Sequence, residues 1–394
     1  MANRGCLALL VSGAMVLAAA GCGGSDDDAS PASSSGSSGG KTVTIGHLAN
    51  LTGAASSLGA PYKKGIDLAL ADIEADGFLK GVGASLQIKT EDTGSTPTNA
   101  VTIFNEFERD GVAVTVSDGI SPIALAIDPL ANESKIPFIT GAGSGTPDDD
   151  YEFHLSDVKT QYDELAPYLV SKGGPRVAAI VGTDNPAFPL LTANLKAGLE
   201  KSGGQIVATE TVESGDTDFS SVLTNLQKAD PDVVFISTLA DQAGNVLAQM
   251  QQVGGFDGVL KTVQSGVSRV VADVAGAGAT GVVLRPAWAP GAPGSEDFVT
   301  RYEAANSGDS PDTNAAFGYQ SGWIIATAVK KALEGGGPVT GEALRPLIAE
   351  ASTSAEVKQH GIIPDLVIPA SGATTWPGVL SNFTASGNIE AVKG

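Results

Sequence analysis

Cysteine is almost absent from this chain. Cys6 and Cys22 are the only two in 394 residues, which excludes a scaffold stapled by disulfides. Histidine is nearly as scarce: His47, His154 and His360 lie far apart, without H-x-x-x-H spacing or cysteine partners, so no metal site is legible. No G-x-S-x-G elbow occurs, and with it goes the usual signature of a serine nucleophile on an α/β sheet. Positive charge is short as well. Against 44 Asp and Glu stand 23 Lys and Arg, a net charge of −21 that disfavours phosphate backbones and anionic lipid head groups. Nucleic acid is therefore not an expected partner. Long apolar runs are also missing. Leu7 to Ala20, broken only by Ser12 and Gly13, is shorter than the about 20 apolar residues that a membrane span needs.

What is present begins at that short apolar run. Met1 to Arg4 supplies a positive start and Ala19-Ala20-Gly21 a small-residue end, the pattern of a secretory signal over residues 1–21. Ala19-Ala20-Gly21-Cys22 resembles the lipobox of bacterial lipoproteins, although Leu is commoner at its first position. The resemblance implies that the Cys22 thiol carries a diacylglyceryl group, with cleavage just before it. More than one acyl chain would hold the chain stably to a membrane. Cys6 leaves with the signal, so the mature chain has one cysteine and no internal disulfide. The competing reading is an ordinary secreted protein in which Cys22 is a bystander. Residues 23–40, "GGSDDDASPASSSGSSGG", are too small and polar to bury a core and read as a flexible leash. "GSSGGKT" (Gly36 to Thr42) is one residue short of a phosphate loop and precedes a strand, so it is set aside.

Beyond the leash lie about 350 residues, more than one core usually serves, and two domains are expected. "TVTIGH" reads as a strand, and Tyr62, Ile66, Ala69, Leu70 and Ile73 recur at helical spacing. "SLQIKTED", "VAVTVSD" and "IPFIT" read as strands that alternate with the helices "NAVTIFNEFERD" and "SPIALAIDPLAN". The rhythm restarts at "RVAAIVG", where Leu191, Leu195 and Leu199 stripe the following helix. "QIVATETV" and "DVVFIST" are further strands, and Phe219, Val222 and Leu226 are expected to share a helical face between them. "QAGNVLAQMQQVG" is a helix stopped by Gly254. The fold class is α/β: two similar lobes, each a parallel sheet with helices on both faces. Ligands of such sheets bind beyond the carboxyl ends of the strands, so the site is expected in the cleft between the lobes.

"LTGAASSLG" (Leu51 to Gly59), "GIDLALADIEADG" and "DTGSTPTNAV" resemble the opening of periplasmic solute-binding proteins of the leucine/isoleucine/valine-binding type. "GDTDFSSVLTNLQKADPDVVF" is similar to that family's second-lobe signature, and "FGYQSGWIIATAVKKAL" to its late helix. The likeness runs from about Thr42 to Ala351 and fades at "LVIPASGATTWPGVL". It implies a type I periplasmic-binding fold whose chain crosses between lobes three times, near Asp157, Arg285 and residues 355–362. Lobe 1 is then 41–158 with 286–355, and lobe 2 is 159–285 with 356–394. It further implies an extracytoplasmic protein that captures a small molecule for an ABC permease and is not an enzyme; with the lipobox-like Cys22, a lipid-anchored monomer is expected. No cofactor is implied. Two rivals stay open: the same receptor signalling to a membrane sensor, and a tethered hydrolase.

Ser121, in "SDGISPIALAI", stands at a helix start with Pro122 after it, where free N–H groups and the dipole attract an anion. In the resembling family the matching serine binds the ligand carboxylate; otherwise Ser121 is a capping residue. The family pattern also implies a backbone carbonyl at Ala142 and a hydroxyl at Ser144; otherwise "TGAGSGTP" is a plain glycine-rich loop. The family's first-loop aromatic wall matches Leu58. Its second-lobe tyrosines match Ala187, with Phe188 adjacent, and Leu239. The acid that pairs with a ligand ammonium matches Ser265. Asp184 is either a substitute for that acid or a solvated turn residue. An ammonium without a carboxylate faces a desolvation cost of several kcal/mol. A small carboxylate, an amide or a partly apolar acid is therefore expected rather than an ordinary α-amino acid. "GAGATG" (Gly276 to Gly281) has dinucleotide-fingerprint spacing but follows a helix-like segment, which is the wrong context.

Overall fold

Alternation of apolar residues sorts each strand between two helical layers. The structure is a computed structural model that describes residues 40–143, 150–363, 365–369, 374–376 and 378–392. Cys22, the signal-like run, the leash and Ser144 lie outside the described residues. In β1 (Lys41–Ala49), Val43 and Ile45 face one core and Leu48 the opposite one. After α1 (Ser56–Ala75), β2 (Ala84–Asp92) and α2 (Pro97–Arg109) come β3 (Val114–Ser117), α3 (Ser121–Ser134) and β4 (Phe138–Thr140). With β5 (Glu152–His154) these strands form a parallel sheet in the order β2-β1-β3-β4-β5. Phe104, Phe107 and Ile123, from α2 and its neighbour α3, cover one face. Burying each such side chain contributes about 1.5–3 kcal/mol.

Asp157 starts the second lobe's first helix. Its Oδ1 accepts the Lys159 and Thr160 N–H groups at 2.9 and 2.8 Å, opening α4 (Thr160–Ser171). Then follow β6 (Arg176–Gly182), α5 (Ala187–Ser202), β7 (Gln205–Val212), α6 (Ser220–Lys228), β8 (Val233–Ser237) and α7 (Ala240–Val253). Leu191, Leu195 and Leu199 are buried as their spacing requires. On α6 the buried stripe is Phe219, Leu223 and Leu226; Val222 stays half-buried, because Phe219 precedes the helix and shifts the face by one residue. β9 (Leu260–Val263), α8 (Val270–Ala275) and β10 (Val283–Leu284) complete the parallel part. "GAGATG" sits between that helix and β10 as a 3₁₀ turn, so no strand leads into it.

The chain then returns to the first lobe as α9 (Glu296–Ala305) and α10 (Thr313–Glu334). The latter presses closely on α1. A Cβ at Gly318 would lie 2.1 Å from the Tyr62 carbonyl oxygen, so only glycine permits the approach. α11 (Gly341–Ser352) and α12 (Ala355–His360) follow. The last crossing differs from the one expected at residues 355–362. Val357, Ile363, Leu366, Ile368 and Trp376 all join the first lobe's core, and the chain leaves that lobe only after Trp376. β11 (Ser381–Phe383) and β12 (Ile389–Ala391) then add an antiparallel edge to the second sheet, whose order is β12-β11-β10-β9-β8-β6-β7. That edge had no periodic signal, since each strand is only three residues long.

Candidate functional site

Both sheets turn the carboxyl ends of their parallel strands toward one cleft. It holds a narrow cavity of about 70 Å³. From the first sheet come Leu58 after β1, Asp118 to Ser121 after β3, Gly141 and Gly143 after β4, and Ser156 after β5. From the second come Asn185 and Phe188 after β6, Leu239 after β8, and Gln264 to Gly266 after β9. This follows from parallel topology: every loop at that edge leaves a strand and enters a helix. The first turns of α1, α3, α5, α7 and α10 therefore line the cavity through Ser57, Ser121, Ala187, Ala240 and Thr313. Each turns the positive end of a helix dipole, about half a charge, toward the cavity, although the first N–H groups of α5 and α10 are already bonded to Asn185 and Asp312.

Ser121 is the first residue of α3, one later than a cap, and Ile120 holds the cap position. No side chain caps this helix. The Ser121 hydroxyl is buried and has no hydrogen-bond partner among the described residues. Thr313 Oγ1, at the start of α10, is in the same condition. The loop before Ser121 is fixed by Gly119, whose φ of +79° and approach to the Ala142 amide, 2.1 Å from a would-be Cβ, leave room only for glycine.

Among the described lining residues Asp118 alone carries a formal charge. Its carboxylate is turned into the lobe: Oδ1 accepts the Asn50 backbone N–H at 3.1 Å and Oδ2 the Asn50 side-chain amide at 2.6 Å. His47 Nε2 lies 3.7 Å from Oδ1, and both side chains are fully buried. Asp118 thus ties the end of β1 to the end of β3, and its charge is met on the side away from the cleft.

Six of the residues singled out from sequence line the cavity together: Leu58, Ser121, Ala187, Phe188, Leu239 and Ser265. Ala142 is fully buried behind the lining, and its carbonyl lies 3.1 Å from His154 Nδ1. Nε2 of the same ring lies 3.1 Å from Glu152 Oε2. Two acceptors require two ring protons. Burial opposes the charged ring, but the Glu152 carboxylate and the Ala142 carbonyl outweigh it and raise the His154 pKa. Asp184 is exposed and lies in a separate surface groove with Pro97 and Ser214; its neighbour Asn185 reaches the main cavity. Ser144 lies outside the described residues.

Gln264, Thr313 and Trp376 line the cavity without having been singled out. Thr313 was findable: Asp312 accepts the Asn314 and Ala315 N–H groups at 2.9 and 3.0 Å, and aspartate before an apolar helical run is a start signal. Trp376 had no signal, because only the return of a distant segment places it there.

Comparison with known sequences agrees with these lobes. Residues 42–365 match the family model described as periplasmic binding protein. The chain belongs to the periplasmic binding protein family. Leu/Ile/Val-binding protein homolog 3 of Brucella melitensis biotype 1 is 25% identical over 218 residues, 54% of this chain and 58% of that protein. The chain thus matches under two thirds of that relative's length. Among solved structures, the branched-chain amino acid transporter substrate-binding protein LivJ of Streptococcus pneumoniae, in complex with isoleucine, superposes with a TM-score of 0.77 at 21% identity, covering 90% of this chain and all of that one (100%). A solute-binding protein of an ABC transporter from R. palustris, in complex with benzoate, gives 0.74 at 19% identity, covering 89% of this chain and 95% of that one. At such identities the likeness carries the fold alone, the type I periplasmic-binding fold of two lobes.

Proposed function

We propose that this family member is the extracytoplasmic solute-binding component of an ABC importer, held to the membrane by lipid on Cys22, and that its cleft captures a small carboxylate- or amide-bearing molecule. One observation carries the ligand class. The Ser121 hydroxyl is buried at a helix start on the cavity wall, and it neither caps the helix nor bonds elsewhere among the described residues. A buried hydroxyl without a partner is costly. A ligand oxygen would remove that cost, and the positive dipole end of α3 would favour its negative charge. The names of the similar proteins fit this chemistry, since leucine, isoleucine, valine and benzoate all carry a carboxylate. The lining supports an acid without an ammonium group: Ser265 supplies no charge, and Asp118 is already bonded to Asn50.

The test is mass spectrometry of molecules released from the purified protein by mild unfolding, followed by calorimetric titration of what is found. A released acid or amide that rebinds in one-to-one ratio supports the reading. Tight binding of a cationic solute or an oligosaccharide, with no affinity for acids or amides, would overturn it.

A further inference from the structure

Trp376 belongs to the segment at which resemblance to the family fades, yet it stands in the cavity wall. The side chain is 4% exposed, and its indole N–H donates to the Leu155 carbonyl, 2.9 Å away, on the first segment that crosses between lobes. Two residues earlier, Thr374 Oγ1 donates to the His154 carbonyl. Three residues later, the Val379 N–H donates to the Pro286 carbonyl at 2.8 Å, on the second crossing segment. Gly378 has φ +66°, and a Cβ there would lie 3.0 Å from the Trp376 ring and 3.2 Å from Arg285. The segment that carries the indole is thus bonded to both other crossing segments, and the absence of a Cβ at Gly378 makes room for the ring. Burial and the bond to Leu155 together hold the plane of the ring.

We propose that Trp376 is the specificity-determining wall for the apolar half of the ligand, and that through its bond to Leu155 it makes that wall part of the hinge. This rests on reading the cleft as a site for a small acid. Leu58 and Phe317 from the first lobe and Phe188 and Leu239 from the second face the same cavity. With the carboxylate end at Ser121, these apolar side chains suit a ring or a branched chain; Gln161, Asn185, Gln264 and Asn314 add uncharged polar groups to the wall, and the Asp118 carboxylate is already bonded to Asn50. The ligand class is a carboxylic acid whose other end is apolar.

The other two tryptophans lie outside the cavity lining. Trp288 packs edge-on against Phe298 at 5.2 Å, and Trp323 stacks on His360 at 4.1 Å; neither lines the cavity. The experiment titrates benzoate, 4-methylpentanoate and acetate into wild type, Trp376→Phe and Trp376→Ala, read by calorimetry and tryptophan emission. Benzoate or 4-methylpentanoate is expected to bind wild type at least about tenfold more tightly than acetate and to change its emission. Trp376→Ala should reduce that preference by about tenfold, the size of one lost aromatic contact. Trp376→Phe should restore most of the preference, lose the emission change, and exchange the Val379 amide faster because the Leu155 bond is gone. Unchanged preference in the alanine variant, or an emission change that survives in the phenylalanine variant, overturns the proposal while acid binding stands. If none of the three acids binds wild type, the acid reading falls and this one with it. Melting of each variant shows whether it is folded before titration, and the phenylalanine variant retains the ring volume should the alanine variant fail to fold.

Discussion

Replacing Ser121 by alanine separates ligand binding from stability in one experiment. A serine that caps a helix costs about 0.5–2 kcal/mol when truncated. Here the hydroxyl caps nothing and has no partner among the described residues, so its removal takes away a buried polar group and breaks no bond. The expected change in stability is neutral to slightly favourable. Binding should respond in the opposite sense. A hydrogen bond from this hydroxyl to a charged ligand oxygen is worth about 1.5–3 kcal/mol, and its loss should weaken affinity roughly 10- to 150-fold. Calorimetric titration with the acid released from the native protein gives the first quantity, and thermal melting without ligand gives the second. A melting temperature that falls by several degrees would mean that the hydroxyl is bonded in the free protein. An affinity within twofold of wild type would mean that the ligand oxygen is not at this helix start. Either result refutes the reasoning from the orphaned hydroxyl.

Burial raises the Asp312 carboxyl to about 6, against the opposing hydrogen bonds of the Ala315 and Asn314 amides. A carboxyl raised from 3.8 contributes stability below that value and loses it as pH rises through about 6, to a total of about 3 kcal/mol. Asp312→Asn keeps a cap and should therefore melt with wild type at pH 4 and above it at pH 8; equal curves at both would remove the argument. Small-angle scattering should show a smaller radius of gyration with saturating acid, as hinge closure requires, and an unchanged radius with binding confirmed would count against it. Cys22→Ser should move the protein from membranes to the soluble fraction, whereas continued membrane retention would exclude lipid at that residue. Ser265→Glu should gain affinity for leucine and lose it for the native acid. Micromolar binding of leucine by wild type would sink the argument against an ammonium ligand.

Local pattern was enough to read the lobes. "RVAAIVG" and "QIVATETV" are β6 and β7 to the residue, because each is flanked by turn residues and is rich in β-branched side chains. Leu58, Phe188 and Ser265 were legible only through resemblance to a family, since nothing in their own neighbourhoods marks a ligand. The pairing of His154 with Ala142 and Glu152 was not legible at all. It needs β4 and β5 side by side, and β5 is three residues long. The same holds for Asp118, whose partner Asn50 is 68 residues away.

By itself the sequence determined the alternation of strands and helices, the restart that makes two lobes, and the helix start at Ser121, all of which depend on residues close in the chain. Only the tertiary structure decided which helix starts meet in one cavity, that Ser121 is left unbonded there, and that Trp376 closes the wall. Those outcomes depend on contacts such as Trp376 with Leu155, 221 residues apart. Periodicity records which face of an element is buried, and it carries no record of what that face will meet.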